Sequence, residues 1–465
     1  MKGCYGMLKR MTSPTCFRDP HERGWHRLGN QKQLADWQPR GAPPLQNRWR
    51  VSPAEALFYC LILTLPFEEL YTIAGVSITK LAGLLFFIVS LMEWRTFYEK
   101  VPGALVVLLG FIGIGLAVDL ATYAQVDFFA INQFSRFILI WWLMLAAYNL
   151  ALNNRFDRVV GIIYAGSLLF AIFQSLSLGG SSLNLYEEAI YGEKGSRVSV
   201  LGTNPNFATI YIAVGVLFGL VYGLNLTKTR ITYRILFLLG TGVGFYAMLK
   251  TGSRGGLLAL GGGVLSLAFT ARQWKRTVIS LFTVACVIVV MGVAVAKNPY
   301  LAARFRASAE TGNTSGRDKI WEQAVRLSAE SPLYGFGASM QGVKLGEKVG
   351  STLKATHNLL LSVLLGSGLA GLLCFLYPYA HAFKSIWSCR AESTGRIVFA
   401  WFALASLGSM TANLEITKWF WIVLALSLAA GKVYARRQAS SPVMSRAHHA
   451  LFRRVPSLRF SVRAP

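Results

Sequence analysis

The sequence predicts an all-α membrane protein, a polytopic bundle of about 12 transmembrane helices, and three observations predict it. Its 465 residues are 54% hydrophobic and only 15% charged, where soluble domains carry about 25% charge. Apolar runs recur from about Leu57 to Ala430, and ~20 apolar residues at a rise of 1.5 Å cross the hydrocarbon core. The charge is also unevenly placed. With a cytoplasmic N-terminus, 31 of the 47 Lys and Arg fall on the cytoplasmic side and 16 outside, the bias that orients membrane helices.

Each element follows in order. Residues 1–53 are polar, basic and rich in Gly and Pro, and they lack the apolar core of a cleavable signal; a cytoplasmic tail is expected. Candidate spans lie near 55–69, 77–94, 101–118, 133–150, 157–177, 206–224, 233–250, 254–270, 277–296, 357–383, 397–412 and 419–431. They make up a membrane domain over 54–431. The short inner connections "WRTFYEK", "NNRFDR", "TKTRITYR", "RQWKR" and "FKSIWSCR" are all basic. Their repetition calls for an even number of spans, so both termini are cytoplasmic. Residues 432–465 form a second basic tail. The formal charge of +26 is accounted for by topology and two tails, so no nucleic-acid partner is expected. None of the six cysteines falls in an expected outer loop, and no paired-cysteine motif is present.

Two outer segments exceed simple turns, about 179–206 and 298–356; connections this long are usually functional or disordered. In the larger, "TSGRDKIWEQAVRLSAESP" places Ile320, Trp321, Ala324 and Val325 on one helical face. Ser315 with Asp318 resembles a capping box, and Pro332 closes the helix. An amphipathic helix roofing the bundle would create a cavity at the outer surface. "YGFGASMQG" reads as a flexible link after it.

Several arginines map to the outer side, against the orientation rule, among them Arg136 in "NQFSRF", Arg197 in "KGSRVSVLGTNPN", Arg254 in "KTGSRGG" and Arg317 in "SGRDKIW". Any one alone reads as a snorkelling or surface side chain. Together they offer non-titrating bidentate donors suited to phosphate oxygens, as a diphosphate at the membrane surface requires. His357, the one histidine expected outside, meets the membrane beside Asn358. A neutral imidazole there can accept a proton, and a helix N-terminus would lower its pKa; a helix-capping role is the plain alternative. Asp127, Glu187, Glu188, Glu193 and Glu415 are scattered and most are expected to be solvated, with no metal-binding constellation.

The order "GTNPNFA" (Gly202 to Ala208), "SRGG", "R…W…SPLYGFG…THN", with a large outer loop before a late helix, resembles the O-antigen ligase and polymerase superfamily of bacterial inner membranes. "GTNPNFA" is one residue shorter than the family spacing "GxNPNxxA". The resemblance covers about Leu57 to Leu426, and the length and single large loop look most like the ligase. It implies a metal-independent, ATP-independent, GT-C-like glycosyltransferase with no cofactor. O-antigen polysaccharide would pass from undecaprenyl diphosphate to the lipid A-core oligosaccharide, at the periplasmic face. Arg197, Arg254 and Arg136 would hold the diphosphate, with Arg317 a further basic position. Asn204 and Asn358 are placed among the substrate-binding residues. His357 would activate the acceptor hydroxyl, and single displacement would invert the anomeric carbon. Rivals are an O-antigen polymerase or a protein O-oligosaccharyltransferase of the same superfamily, and a twelve-span transporter or flippase. Transporters concentrate ionisable groups near the midplane; here the basic groups gather at one face.

Overall fold

Apolar segments too long for turns and too poor in charge for solvent can satisfy their backbone inside lipid only as helices, and helices dominate the described chain. The computed structural model describes residues 51–68, 72–73, 76–122, 128–176, 180–182, 198–200, 204–224, 230–270, 274–311 and 316–439. In order these form α1 (Pro53–Thr64), α2 (Ile78–Met92), the short α3 (Trp94–Phe97), α4 (Gly103–Thr122), α5 (Phe128–Leu150), α6 (Phe156–Ser175), α7 (Pro205–Gly223) and α8 (Ile231–Thr251). They continue as α9 (Arg254–Ser266), α10 (Trp274–Ala296), α11 (Pro299–Thr311), α12 (Arg317–Glu330), α13 (Gln341–Val349), α14 (Leu359–Cys389), α15 (Ser393–Gly408) and α16 (Lys418–Ala439). Two strand pairs, 72–73 with 76–77 and 180–182 with 198–200, are antiparallel and very short.

A helix meets each of the twelve expected apolar segments. Six stretches are long and apolar enough to cross a membrane, or seven if the bent pair Ser280–Ala296 and Leu301–Glu310 is one span. α1 with its trailing turn, α2 and α9 are shorter apolar helices. One of the six, Ile131–Ser175, has 45 residues, about twice what a bilayer needs. It is two helices: Asn153 and Asn154 leave helical geometry, Asn154 at φ 63°, and the chain turns back. At the far end of α6 the Ser175 carbonyl accepts from Lys250 Nζ of α8 at 2.8 Å.

The core is mainly apolar, and α7 and α16 are among its most fully buried helices. α7 packs on α6, α8, α9 and α15, and α16 on α5, α14 and α15. Close approach needs small residues: on α9, Gly262 faces Leu407 and Gly263 faces Leu217 and the Ala400 carbonyl. The expected tight packing of that glycine run is thus where α9 meets α7 and α15.

Basic groups collect at one end of the bundle. There Glu55 takes Arg155 (3.1 Å) and Arg158 (3.8 Å). Arg437 bridges Asp157 and Glu392 at 2.8 and 3.0 Å, and Arg436 donates to the Leu152 carbonyl. The opposite end carries His357.

Two local expectations are corrected. The "YGFG" stretch is not a flexible link. α14 is broken at Gly368 (φ 61°, ψ −165°), and residues 332–337 dock into the break. Phe336 and Gly337 N–H groups donate to the Leu365 and Gly366 carbonyls (2.8 and 3.0 Å); Leu369 and Ala370 N–H groups donate to the Pro332 and Leu333 carbonyls (2.8 and 3.1 Å). The loop thus satisfies backbone groups that a broken helix would leave bare. The Asp119 carboxylate of α4 then holds Ser339 through its backbone N–H and, at 2.7 Å, its hydroxyl. In α12, Ile320, Ala324 and Leu327 are buried against Leu345 and Leu365 with Trp321 alongside, but Val325 is exposed, because the buried stripe runs i, i+4, i+7. Gly316 occupies the N-cap without a side-chain bond; Ser315 lies outside the described residues.

Candidate functional site

The segment "THN" is built as a rigid bend. Thr356 donates its hydroxyl to the Asn358 carbonyl (2.8 Å) and accepts from the Asn358 N–H (3.2 Å). Its own carbonyl accepts from Trp321 Nε1 on α12 at 2.9 Å. Asn358 caps α14, its Oδ1 accepting from Leu360 and Leu361 N–H at 3.0 and 3.2 Å. Between them His357 holds φ at 53°, a left-handed conformation that non-glycine residues adopt only under local constraint. His357 thus precedes the helix rather than starting it. Its pKa is pushed down first by burial, then by the Arg317 guanidinium and by Lys354. The lowering anticipated from a helix terminus has these causes instead.

His357 lines a cavity of about 500 Å³ with Gln133, Arg136, Asn204, Lys354 and Glu415. Further carboxamides (Asn206, Gln341, Asn413), hydroxyls (Ser339, Thr356, Ser362) and the rings of Phe137 and Phe207 complete the wall. Amides and hydroxyls both donate and accept, and apolar ring faces lie between them; such a wall suits a polyhydroxylated ligand. Beside it runs an apolar groove of about 920 Å³ between α1, α2 and α5, lined by Leu61, Leu84, Phe86, Leu139 and Leu143 among others. Its mouth carries Lys80, Arg136, Lys418 and Glu68, the last two paired as an ion pair. Groove and cavity share Gln133, Arg136, Phe207 and Ile416.

The expected residues divide among these features. Arg136 stands at the junction, anchored by Nη2 to the Ile416 carbonyl at 2.9 Å. Asn204 lines the cavity while its Oδ1 caps α7 through the Asn206 N–H (2.9 Å). Asn358 is spent on its cap and is not among the lining residues. Arg254 and Arg317 are not among them either. Arg254 opens α9 and donates to the Arg304 carbonyl (2.6 Å) and the Ser308 hydroxyl on α11. Arg304 in turn donates to the Gly252 carbonyl at 2.7 Å. Arg317 is close enough to both that burial, then Arg254 and Arg304, depress its pKa. A second basic cluster thus adjoins the histidine side of the cavity. Arg197 lies outside the described residues.

Three features had no place in the sequence reading. Arg304 is buried, although "AARFRAS" looks like an ordinary surface turn of helix. Lys80 and Lys418 read as span-end lysines. Glu415 belongs to the scattered acids of which most are expected in solvent; it is buried at 5% exposure, because the turn between α15 and α16 folds into the bundle. The available signal was a lone acid in "TANLEITKWF" between two apolar spans. Asp127, Glu187, Glu188 and Glu193 lie outside the described residues. Among the described residues, no three His, Cys, Asp or Glu side chains gather as metal ligands.

Residues 239–376 match the family model described as O-Antigen ligase. The chain is also 32% identical over 122 residues to a protein of Pseudomonas aeruginosa (strain PAO1) named O-antigen ligase, covering 25% of this chain and 30% of that one. The match therefore spans less than a third of that relative's length. It resembles that protein, and the family-model match lies in the segment that runs from α8 into α14.

Proposed function

We propose, from the premise that residues 239–376 place the chain in the O-antigen ligase superfamily, that it is a glycosyl-transfer enzyme of the bacterial inner membrane. It has about 12 spans in a GT-C-like arrangement, a periplasmic site and cytoplasmic termini. It moves O-antigen polysaccharide from undecaprenyl diphosphate to the lipid A-core oligosaccharide. The observation that carries this reading is the junction at Arg136, where an apolar groove with a cationic mouth opens into a polar cavity holding His357. A long isoprenoid fits the first and its sugar the second, with the diphosphate between.

In this reading neutral His357 accepts the proton of an acceptor hydroxyl. The oxygen attacks the anomeric carbon, and the bond from that carbon to the diphosphate oxygen breaks. Single displacement inverts the centre. Negative charge grows on the leaving diphosphate, and preorganised cations stabilise it in a partly dewatered site: Arg136 with Lys80 and Lys418 at the mouth, Arg254 and Arg317 from the second cluster, and Arg197, which the resemblance adds to the set. The imidazolium then gives its proton to solvent. Asn204 positions sugar on the cavity wall, and Asn358 acts through His357 by fixing the bend. Guanidinium groups supply the charge stabilisation that a metal gives elsewhere, so transfer is expected to persist in excess chelator.

Gene deletion tests the reading. Loss of long-chain material from lipid A, with lipid-linked polymer accumulating, supports it. Loss of the polymer itself points to the polymerase, and unchanged lipopolysaccharide overturns both.

A further inference from the structure

Glu415 sits in the turn Leu414–Ile416 between α15 and α16, and that turn has no freedom to release it. Arg136 holds the Ile416 carbonyl (2.9 Å), Trp421 Nε1 holds the Glu415 carbonyl (2.8 Å) and the Thr417 hydroxyl holds the Leu414 carbonyl (2.7 Å). The carboxyl Oε1 accepts from the Ser362 hydroxyl of α14 at 2.7 Å. Oε2 is buried and has no partner in full hydrogen-bond geometry; the Asn413 carboxamide acts on the carboxyl as a side-chain donor, and the Arg136 guanidinium acts on it through its charge. Glu415 lines the cavity, so a donor from a ligand bound there can complete the hydrogen bonding of this otherwise unmet acceptor.

Position selects the ligand. Glu415 and His357 both line the polar cavity, and neither lines the apolar groove. The other charged groups on the cavity wall are Arg136 and Lys354, so Glu415 is the one acid among its described lining residues. A carboxylate repels a diphosphate and suits a neutral hydroxyl. Burial raises this carboxyl to about 7, with Ser362 and then Arg136 pulling it back; near neutral pH it is still substantially available as an acceptor.

We infer that Glu415 is a substrate-contacting residue on the acceptor side, whose Oε2 accepts a hydrogen bond from a hydroxyl of the acceptor saccharide and so sets which neighbouring hydroxyl faces His357. This rests on the transfer reading above and extends it to the choice of acceptor hydroxyl. A bond to a charged group is worth about 1.5–3 kcal/mol, or roughly ten- to a hundredfold.

The test uses the full-length protein in nanodiscs and the purified core oligosaccharide without donor, followed by turnover with lipid-linked donor. Glu415→Gln is expected to weaken oligosaccharide binding and raise the acceptor KM at least tenfold, leaving the donor KM unchanged. Glu415→Asp recovers part of the loss. Ser362→Ala, which frees the carboxyl from its tether, shows a smaller rise in the same KM and serves if the first variant fails to fold. Wild-type binding of the oligosaccharide with unchanged binding by Glu415→Gln, or by a folded Ser362→Ala where that stands in, overturns the assignment. Equal rises in both KM values also overturn it, because they indicate a structural role. A wild type that binds no core oligosaccharide overturns the acceptor reading itself.

Discussion

At the scale of residues, the proposed transfer depends on an imidazole held neutral among cations. His357 has a lowered pKa, so its proton-accepting form persists below the ordinary value near 6.5. A rate that needs neutral imidazole rises with pH through the lowered pKa. The acid limb of kcat is therefore expected below pH 6.5. Burial is the first cause and Arg317 the second, so Arg317→Met should move that limb upward without restoring it fully, and Lys354→Met should move it less. A limb that stays put in both variants would separate His357 from proton transfer. His357→Ala should remove transfer while leaving the protein folded, since Thr356 and Asn358 carry the bend. Arg136→Lys keeps charge but loses the fork that reaches the Ile416 carbonyl; a rise in donor KM of roughly tenfold is expected, read by titrating the lipid-linked donor.

Elements explain why this site was half legible in the sequence. Helix positions could be read because apolar length alone decides what a bilayer accepts, and outer arginines stood out because they oppose the orientation bias. The break in α14 could not be read. Leu359 to Gly371 is as apolar as an unbroken span, and what stops it is a left-handed Gly368 whose partners, Pro332 and Leu333, lie more than thirty residues earlier. The same distance hid Glu415, whose burial depends on Ser362 and Arg136 from two other helices. At Gly368 a Cβ would collide with the Leu333 carbonyl and the Tyr334 backbone, on top of the cost of its backbone conformation. Gly368→Ala should therefore lower the thermal midpoint in detergent and release the 332–337 loop to limited proteolysis. If the variant melts and resists protease like wild type, the docked loop is not holding the helix break.

For the whole molecule, the decisive property is the segregation of charge between two ends. One end neutralises its basic groups with acids, as Glu55 does for Arg155 and Arg437 does with Asp157 and Glu392. At the other end Arg254, Arg304 and Arg317 lie close together, beside the cavity that holds His357. Positive charge gathered there on α9, α11 and α12 attracts an arriving anion. Orientation then decides the chemistry, because polymer assembled on a lipid carrier can meet an acceptor only on the face where this end opens. The proposed topology makes that face periplasmic. Leu353 is exposed on the cavity rim and Gln438 is exposed near the last turn of α16 at the opposite end. Single cysteines at these positions, in a chain whose own cysteines are replaced, should separate cleanly in intact cells. Leu353→Cys should react with a membrane-impermeant maleimide added outside, and Gln438→Cys only after the inner membrane is opened. Labelling in the reverse order would invert the molecule, move the cationic cluster to the cytoplasmic face and remove the basis for a periplasmic transfer.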